Sequence, residues 1–280
     1  MDWLIDPLSE PELQRALVSG VLAAISFAVI GTWVVIRGMT FLGDALAHGI
    51  IPGVALAMFF GFSPVIGAAI AAIAMIAGIN FVHRQTAFSE DTGIGLLFVG
   101  MLAFGIIFAT AQGVEAEELL ALLFGDVLSI TGGDIAMMAV IAALAVAATV
   151  LLYRPFLVMS FNEEKAELFG LRPKATHAVM LALLTIAIIA SFQTVGTLLV
   201  FGLLIGPPAT AALLVRRVPT MMLTAAAIGI ASVVIGLVIS YHLGTSGSAT
   251  MAVVPIIAFF VVLTVKTLGG KRRAAAEAAV

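Results

Sequence analysis

The sequence contains no cysteine, and only 10% of its 280 residues are charged. Without cysteine there is no disulfide, no thiolate metal site and no thiol nucleophile. The scarcity of charge, beside 62% hydrophobic residues and a mean hydropathy of +1.22, excludes an ordinary soluble domain, which carries roughly 25% charge. No G-x-x-x-x-G-K-[ST] run encodes a P-loop, "LGGKRR" lacking its spacing, and no H-E-x-x-H marks a zinc protease. The net charge of -3 offers nothing to nucleic acid. What the sequence does have is long apolar runs.

A membrane-crossing helix needs about 20 apolar residues. Charges, prolines and glycine-rich turns divide the chain into about nine such stretches: near 16–36, 41–60, 64–82, 92–111, 134–153, 175–191, 194–214, 220–241 and 250–266. The expected fold is all-α, a polytopic helix bundle forming a single transmembrane domain over residues 1–280. Residues 112–133 hold the apolar core "LLALLFG", too short to span, and read as a surface or re-entrant helix. The acidic N-terminus lacks the basic start of a signal peptide and reads as retained, with Trp3, Leu4, Ile5, Leu8 and Leu13 in an interfacial amphipathic turn or two. Gly95, Gly100 and Gly105 suit close helix packing in lipid.

Basic residues set the orientation. With the 154–174 loop cytoplasmic, the inner side collects every Lys and Arg except Arg15, which predicts the N-terminus outside and the C-terminus inside. The outer side carries acids, among them Glu10, Glu115, Glu118 and Asp134, which either gather cations or are merely tolerated there.

Within the stretch "FLGDALAHGIIPG", Asp44 and His48 stand four residues apart and so share one helix face. A carboxylate there costs roughly 2.5–3.5 kcal/mol on insertion scales, and such groups face a bundle interior or a water-filled path. Pro52 lacks the N–H that would bond the carbonyl of His48. Oxygen and nitrogen donors suit a divalent metal such as Zn²⁺ or Mn²⁺, but two side chains leave the shell incomplete. A twofold dimer would double them. A proton relay and a structural hydrogen-bonded pair are the alternatives. His83, His177 and His242 have no carboxylate at helical spacing and read as interfacial.

Two further stretches stand out. In "TVGTLLVFGLLIGPPATAALL", Pro207 and Pro208 free the carbonyls of Leu203 and Leu204, predicting a kink beside a pathway or one used for packing. In "FNEEKAELFGLRPK", Asn162 reads as N-cap, Glu163 and Glu164 as first turn, Gly170 as C′ and Pro173 as a stop. The resulting two-turn helix, about 162–170, presents Phe161, Lys165, Leu168 and Phe169 on one face, for a cytoplasmic partner or for lipid headgroups.

Together with "RGMTFLGDALAHGIIPGVALA" and "EDTGIGLLFVGMLAFG", these stretches resemble the permease subunits of ATP-binding-cassette importers for divalent metals, the zinc and manganese uptake family. The resemblance implies a homodimer in the bacterial cytoplasmic membrane. It also implies one cytoplasmic ATP-binding subunit per copy, where ATP is hydrolysed, and an extracytoplasmic metal-binding protein that delivers the cargo. It puts Asp44 and His48 on the metal, with zinc favoured over manganese, and Asn162, Glu163, Glu164, Ala166, Phe169 and Gly170 against the ATPase. The last outer loop, "HLGTSGSATM", departs from the family pattern, so no metal role is carried there. A proton-coupled carrier without an ATPase is the competing expectation.

Overall fold

Prolines in the first helical turn punctuate this chain. Pro11, Pro52, Pro64, Pro173 and Pro219 each open a helix where the missing N–H has no partner to lose. The computed structural model describes residues 10–86, 90–111, 113, 125, 129–161 and 163–277. Trp3, Leu4, Ile5 and Leu8 of the amphipathic stretch expected at the N-terminus, most of 112–133 and Asn162 lie outside the described residues.

In chain order the helices are α1 (Pro11–Ile36), α2 (Thr40–Gly49), α3 (Ile51–Phe60), α4 (Pro64–Gln85), α5 (Glu90–Ala111) and α6 (Gly132–Leu151). They continue with α7 (Tyr153–Phe161), α8 (Glu163–Leu168), α9 (Pro173–Leu214), α10 (Val218–Leu243) and α11 (Gly247–Glu277). Among the described residues, nine stretches are long and apolar enough to cross a membrane, close to the nine expected ranges. The first begins earlier than expected, at Pro11.

Helix α1 runs through the middle of the bundle. Phe27, Trp33 and Val34 are wholly or almost wholly buried, and α6, α9 and α10 pack around it. Short turns after α1 and α3 make neighbouring spans antiparallel, and with Tyr153 packed on Trp33 and Lys174 beside Asn80 the residues Arg37, Arg154, Lys174 and Arg216 gather at one end, the basic end.

The stretch α9 consists of two arms, Pro173–Phe192 and Thr194–Leu214. Lys174 lines a cavity with Asn80, near the basic end of α4. Ala211 packs on Ala28, with Ile36 and Val215 beside them, also toward that end. The chain therefore reverses between the arms. It does so at Gly196, the sole non-helical residue within α9 (φ 77°, ψ 157°), a backbone region populated essentially by glycine alone. The tip is buried: Val195 is fully enclosed, and Thr194 donates to the Ser191 carbonyl at 3.1 Å and to Met138 Sδ at 3.5 Å. Gly125 lies directly against the Gly196 backbone.

The backbone around Pro207 and Pro208 keeps helical dihedrals, and the one departure from them within α9 falls at Gly196, between the two spans expected from the sequence. The proline stretch instead makes a close contact. A side chain at Gly31 would collide with the Leu204 carbonyl, the group Pro208 leaves without its helical donor. The bare Cα of α1 thus covers that oxygen, the geometry of a weak C–H···O contact.

Of the three glycines expected to pack α5, Gly105 meets Pro52 and Gly95 meets the Phe41 ring. Gly100 packs on nothing within 4 Å and faces an apolar void of about 320 Å³ instead. The tighter glycine contact is between α3 and α4. Gly53 and Gly67 each approach the other's carbonyl, and Ala57 and Ala71 sit one turn on from them, a small-xxx-small crossing that brings two backbones together.

Candidate functional site

Asp44 and His48 project from α2 just before the span breaks. The helix ends at Gly49, Ile50 bridges, and α3 restarts at Ile51 with Pro52 in its first turn. The break follows from Pro52, which cannot donate to the His48 carbonyl. That oxygen accepts from the Ile50 N–H instead. At 1.5 Å per residue, His48 lies about 12 Å from Thr40 along a span of roughly 30 Å.

The i,i+4 spacing brings the pair together as expected. His48 Nδ1 is 3.2 Å from Asp44 Oδ1 and 3.2 Å from the Asp44 main-chain oxygen. Both side chains are partly open, 21% for His48 and 23% for Asp44. Leu42, Ala45, Leu46 and Ala47 on the remaining faces are buried, so among the described residues the polar pair lies on the less covered side of α2. Among the described residues, no group of three His, Cys, Asp or Glu side chains could hold a metal.

An aromatic wall that the sequence did not announce stands beside the pair. The His48 ring meets Phe98 of α5 edge-on, with centroids 5.9 Å apart and planes at 86°, and Phe98 meets Phe41 at 6.2 Å. Phe98 falls inside "GLLFVGMLAFG", a run legible only as packing. These edge-to-face contacts fix the plane of the imidazole.

The other histidines are elsewhere. His242 packs edge-on against Tyr241 at the far end of α10, and His177 lines the cavity between α4 and α9. The His83 side chain lies outside the described ones.

The loop at the basic end holds more helix than expected. After Leu152 the chain re-enters helix as α7, pinned by Tyr153 and Phe156 packing their rings on Trp33 at 5.7 and 5.5 Å. Six-residue α8 follows, and it carries Glu163, Glu164 and Ala166. Gly170 takes φ 71°, its N–H donates to Glu167 O at 2.9 Å, and the Leu171 N–H donates to Ala166 O at 3.0 Å. This is a Schellman ending with Gly170 at C′. Ala166 is buried as the inward anchor, while Phe161, Leu168 and Phe169 are 75%, 86% and 69% exposed. Three large apolar side chains, one closing α7 and two at the end of α8, form an exposed patch.

Comparison with known proteins follows the same outline. The chain is 38% identical over 249 residues to the manganese transport system membrane protein MntC of Listeria monocytogenes, covering 89% of each. It is 29% identical over 258 residues to the chelated iron transport system membrane protein YfeD of Yersinia pestis, covering 92% of this chain and 86% of that one. Among solved structures, PsaBC from Streptococcus pneumoniae in complex with a Fab superposes with a TM-score of 0.83 at 28% identity, covering 92% of this chain and 94% of that one. The model of the ABC 3 transport family matches residues 9–266. With that match running from the start of α1 into α11, the chain belongs to the ABC 3 transport family and is a multi-pass membrane permease of an ATP-binding-cassette transporter.

Proposed function

We propose that this permease carries a divalent transition metal into the cytoplasm along a path between two copies of the chain, each copy contributing Asp44 and His48. The observation that carries this reading is the partly open Asp44/His48 pair, two donors on the face of α2 that the described residues cover least. A second copy about a twofold axis supplies the other two donors and covers the face. The exposed patch of Phe161, Leu168 and Phe169 supports docking of a cytoplasmic ATP-binding subunit against α8. An extracytoplasmic metal-binding protein hands over the cargo at the opposite end. The gathering of Lys and Arg at the basic end supports a cytoplasmic position for that end, with the N-terminus outside.

Manganese is the cargo favoured here. The relatives' names speak of manganese and chelated iron, and a carboxylate-plus-imidazole donor set accepts either Mn²⁺ or Zn²⁺, the affinity order alone not setting the cargo. The preference for zinc rests on the look of the α2 motif alone. No observation favours a proton-coupled carrier.

In the cycle, ATP binding in the partner displaces α8 and rocks the two copies, so that the pair faces one side of the membrane and then the other. Ligation must stay weak, because the ion has to leave again.

The test is ATP-dependent accumulation of Mn²⁺, Fe²⁺ and Zn²⁺ in proteoliposomes holding the permease, its ATPase and its binding protein, beside Asp44→Ala and His48→Ala. Uptake that requires ATP and collapses in both variants is expected. Uptake driven by a proton gradient without the ATPase would overturn the proposal.

A further inference from the structure

A slot of about 690 Å³ separates α4 from the first arm of α9. It extends along α9 from Lys174 to Ile189, about 22 Å at 1.5 Å per residue. That length equals roughly one leaflet of a bilayer with its headgroup layer, half of 40–45 Å.

The two ends of the slot differ in chemistry. At the basic end its mouth is formed by Lys174, His177 and Asn80, and among the described residues no acidic one lines it. Further in, Ile73, Ile76 and Leu181 make the walls apolar, and Ala178 and Ala182 leave the space that larger side chains would fill. The slot is long and narrow for its volume, the shape that an extended hydrocarbon chain fills.

We propose that this slot is a binding site for an anionic phospholipid, with one acyl chain lying between α4 and α9 and the phosphate held at the mouth by Lys174. A cation where the headgroups lie and an apolar channel of one leaflet's depth are the two features such a lipid recognises. The bound lipid fills a seam that the protein's own side chains leave open, and so sets how far the first arm of α9 leans toward α4.

Native mass spectrometry of the full chain, released from bilayers mixing phosphatidylglycerol with phosphatidylcholine, tests this directly. The wild type is expected to retain phosphatidylglycerol about fivefold over phosphatidylcholine, the discrimination one lysine gives at an anionic surface. Lys174→Ala brings the ratio near one, and Ala182→Phe, at an exposed position inside the slot, releases both lipids. Thermal melting confirms that each variant is folded, and Lys174→Ala carries the test alone if the phenylalanine is not tolerated. Equal retention of both lipids by the wild type, or unchanged preference in Lys174→Ala, would overturn the proposal. So would efficient disulfide crosslinking of two copies through Ala182→Cys, which would make the slot an interface between copies.

Discussion

One acidic residue holds the imidazole of His48 by two atoms, Asp44 Oδ1 and the Asp44 main-chain oxygen, each 3.2 Å from Nδ1. With Nδ1 engaged, Nε2 is the nitrogen left for cargo. A carboxylate behind a metal-binding imidazole fixes the tautomer and raises basicity. On the proposed reading Asp44 would act on the cargo partly through His48, a contact that the shared helix face alone did not disclose.

Asp44→Asn keeps the shape of the side chain and removes its charge. Loss of such a supporting carboxylate typically costs 10–100-fold in metal affinity, so the half-saturating metal concentration for uptake is expected to rise by that order. A variant with wild-type half-saturation would take Asp44 out of cargo handling.

Acid works against the same bond. An imidazole ligates metal only when neutral, so protonation competes with binding. Uptake by the wild type is expected to decline as the loading side is acidified through the histidine range, while the low residual uptake of His48→Asn stays flat. Wild-type uptake that increases on acidification would point to proton coupling.

Gly196→Ala places a side chain at φ 77°, ψ 157°. Strain of this kind costs on the order of 1–3 kcal/mol, and here it falls at the buried reversal of α9. A lowered melting temperature in detergent is expected, whereas Gly100→Ala, which meets nothing within 4 Å, leaves melting unchanged. Equal melting of both variants would show that the tip relaxes freely.

Gly53→Leu drives a side chain into the Gly67 carbonyl, which belongs to backbone and cannot swing aside. Overpacking of this type costs about 1–3 kcal/mol. The stability loss in a melting experiment should be matched by Gly67→Leu, because the contact is reciprocal. A large effect at one glycine only would mean the helices separate without cost.

The patch on α8 separates from the helix ending that presents it. Phe169→Glu is expected to lower copurification of the ATPase while α7 and α8 keep their hydrogen-exchange protection. Gly170→Ala, at φ 71°, loosens the Schellman ending and lowers protection at Gly170 and Leu171. Unaltered ATPase recovery with Phe169→Glu would remove α8 as the docking element.

Much of this architecture is legible in sequence because lipid imposes simple rules. Twenty apolar residues between breaks mark a span, and the limits of α4, α5 and both arms of α9 follow within a few residues. Asp44 and His48 stand out because charge inside such a run is costly. Contacts made by backbone are less visible. Pro207 and Pro208 draw attention, but their role depends on which Cα lies over the Leu204 carbonyl, and nothing around Gly31 in sequence encodes that neighbour. Gly196 resembles any other glycine in an apolar run until both its arms are traced to the same end. Helix α7 was missed because Arg154 and Pro155 read as the end of a span, whereas packing on Trp33 carries the helix onward.

Residues 191–197, Ser-Phe-Gln-Thr-Val-Gly-Thr, carry no charge, and Ser191, Phe192, Thr194, Val195 and Thr197 at the tip are buried inside the bundle. No hydrophilic loop has to be hauled through the bilayer during synthesis. The two arms of α9 can leave the insertion machinery as one prefolded unit, with Arg172 and Lys174 before it and Arg216 and Arg217 after it as the only topological anchors. Biogenesis of this hairpin is thus governed from a single side of the membrane, and moving those four charges would invert both spans together.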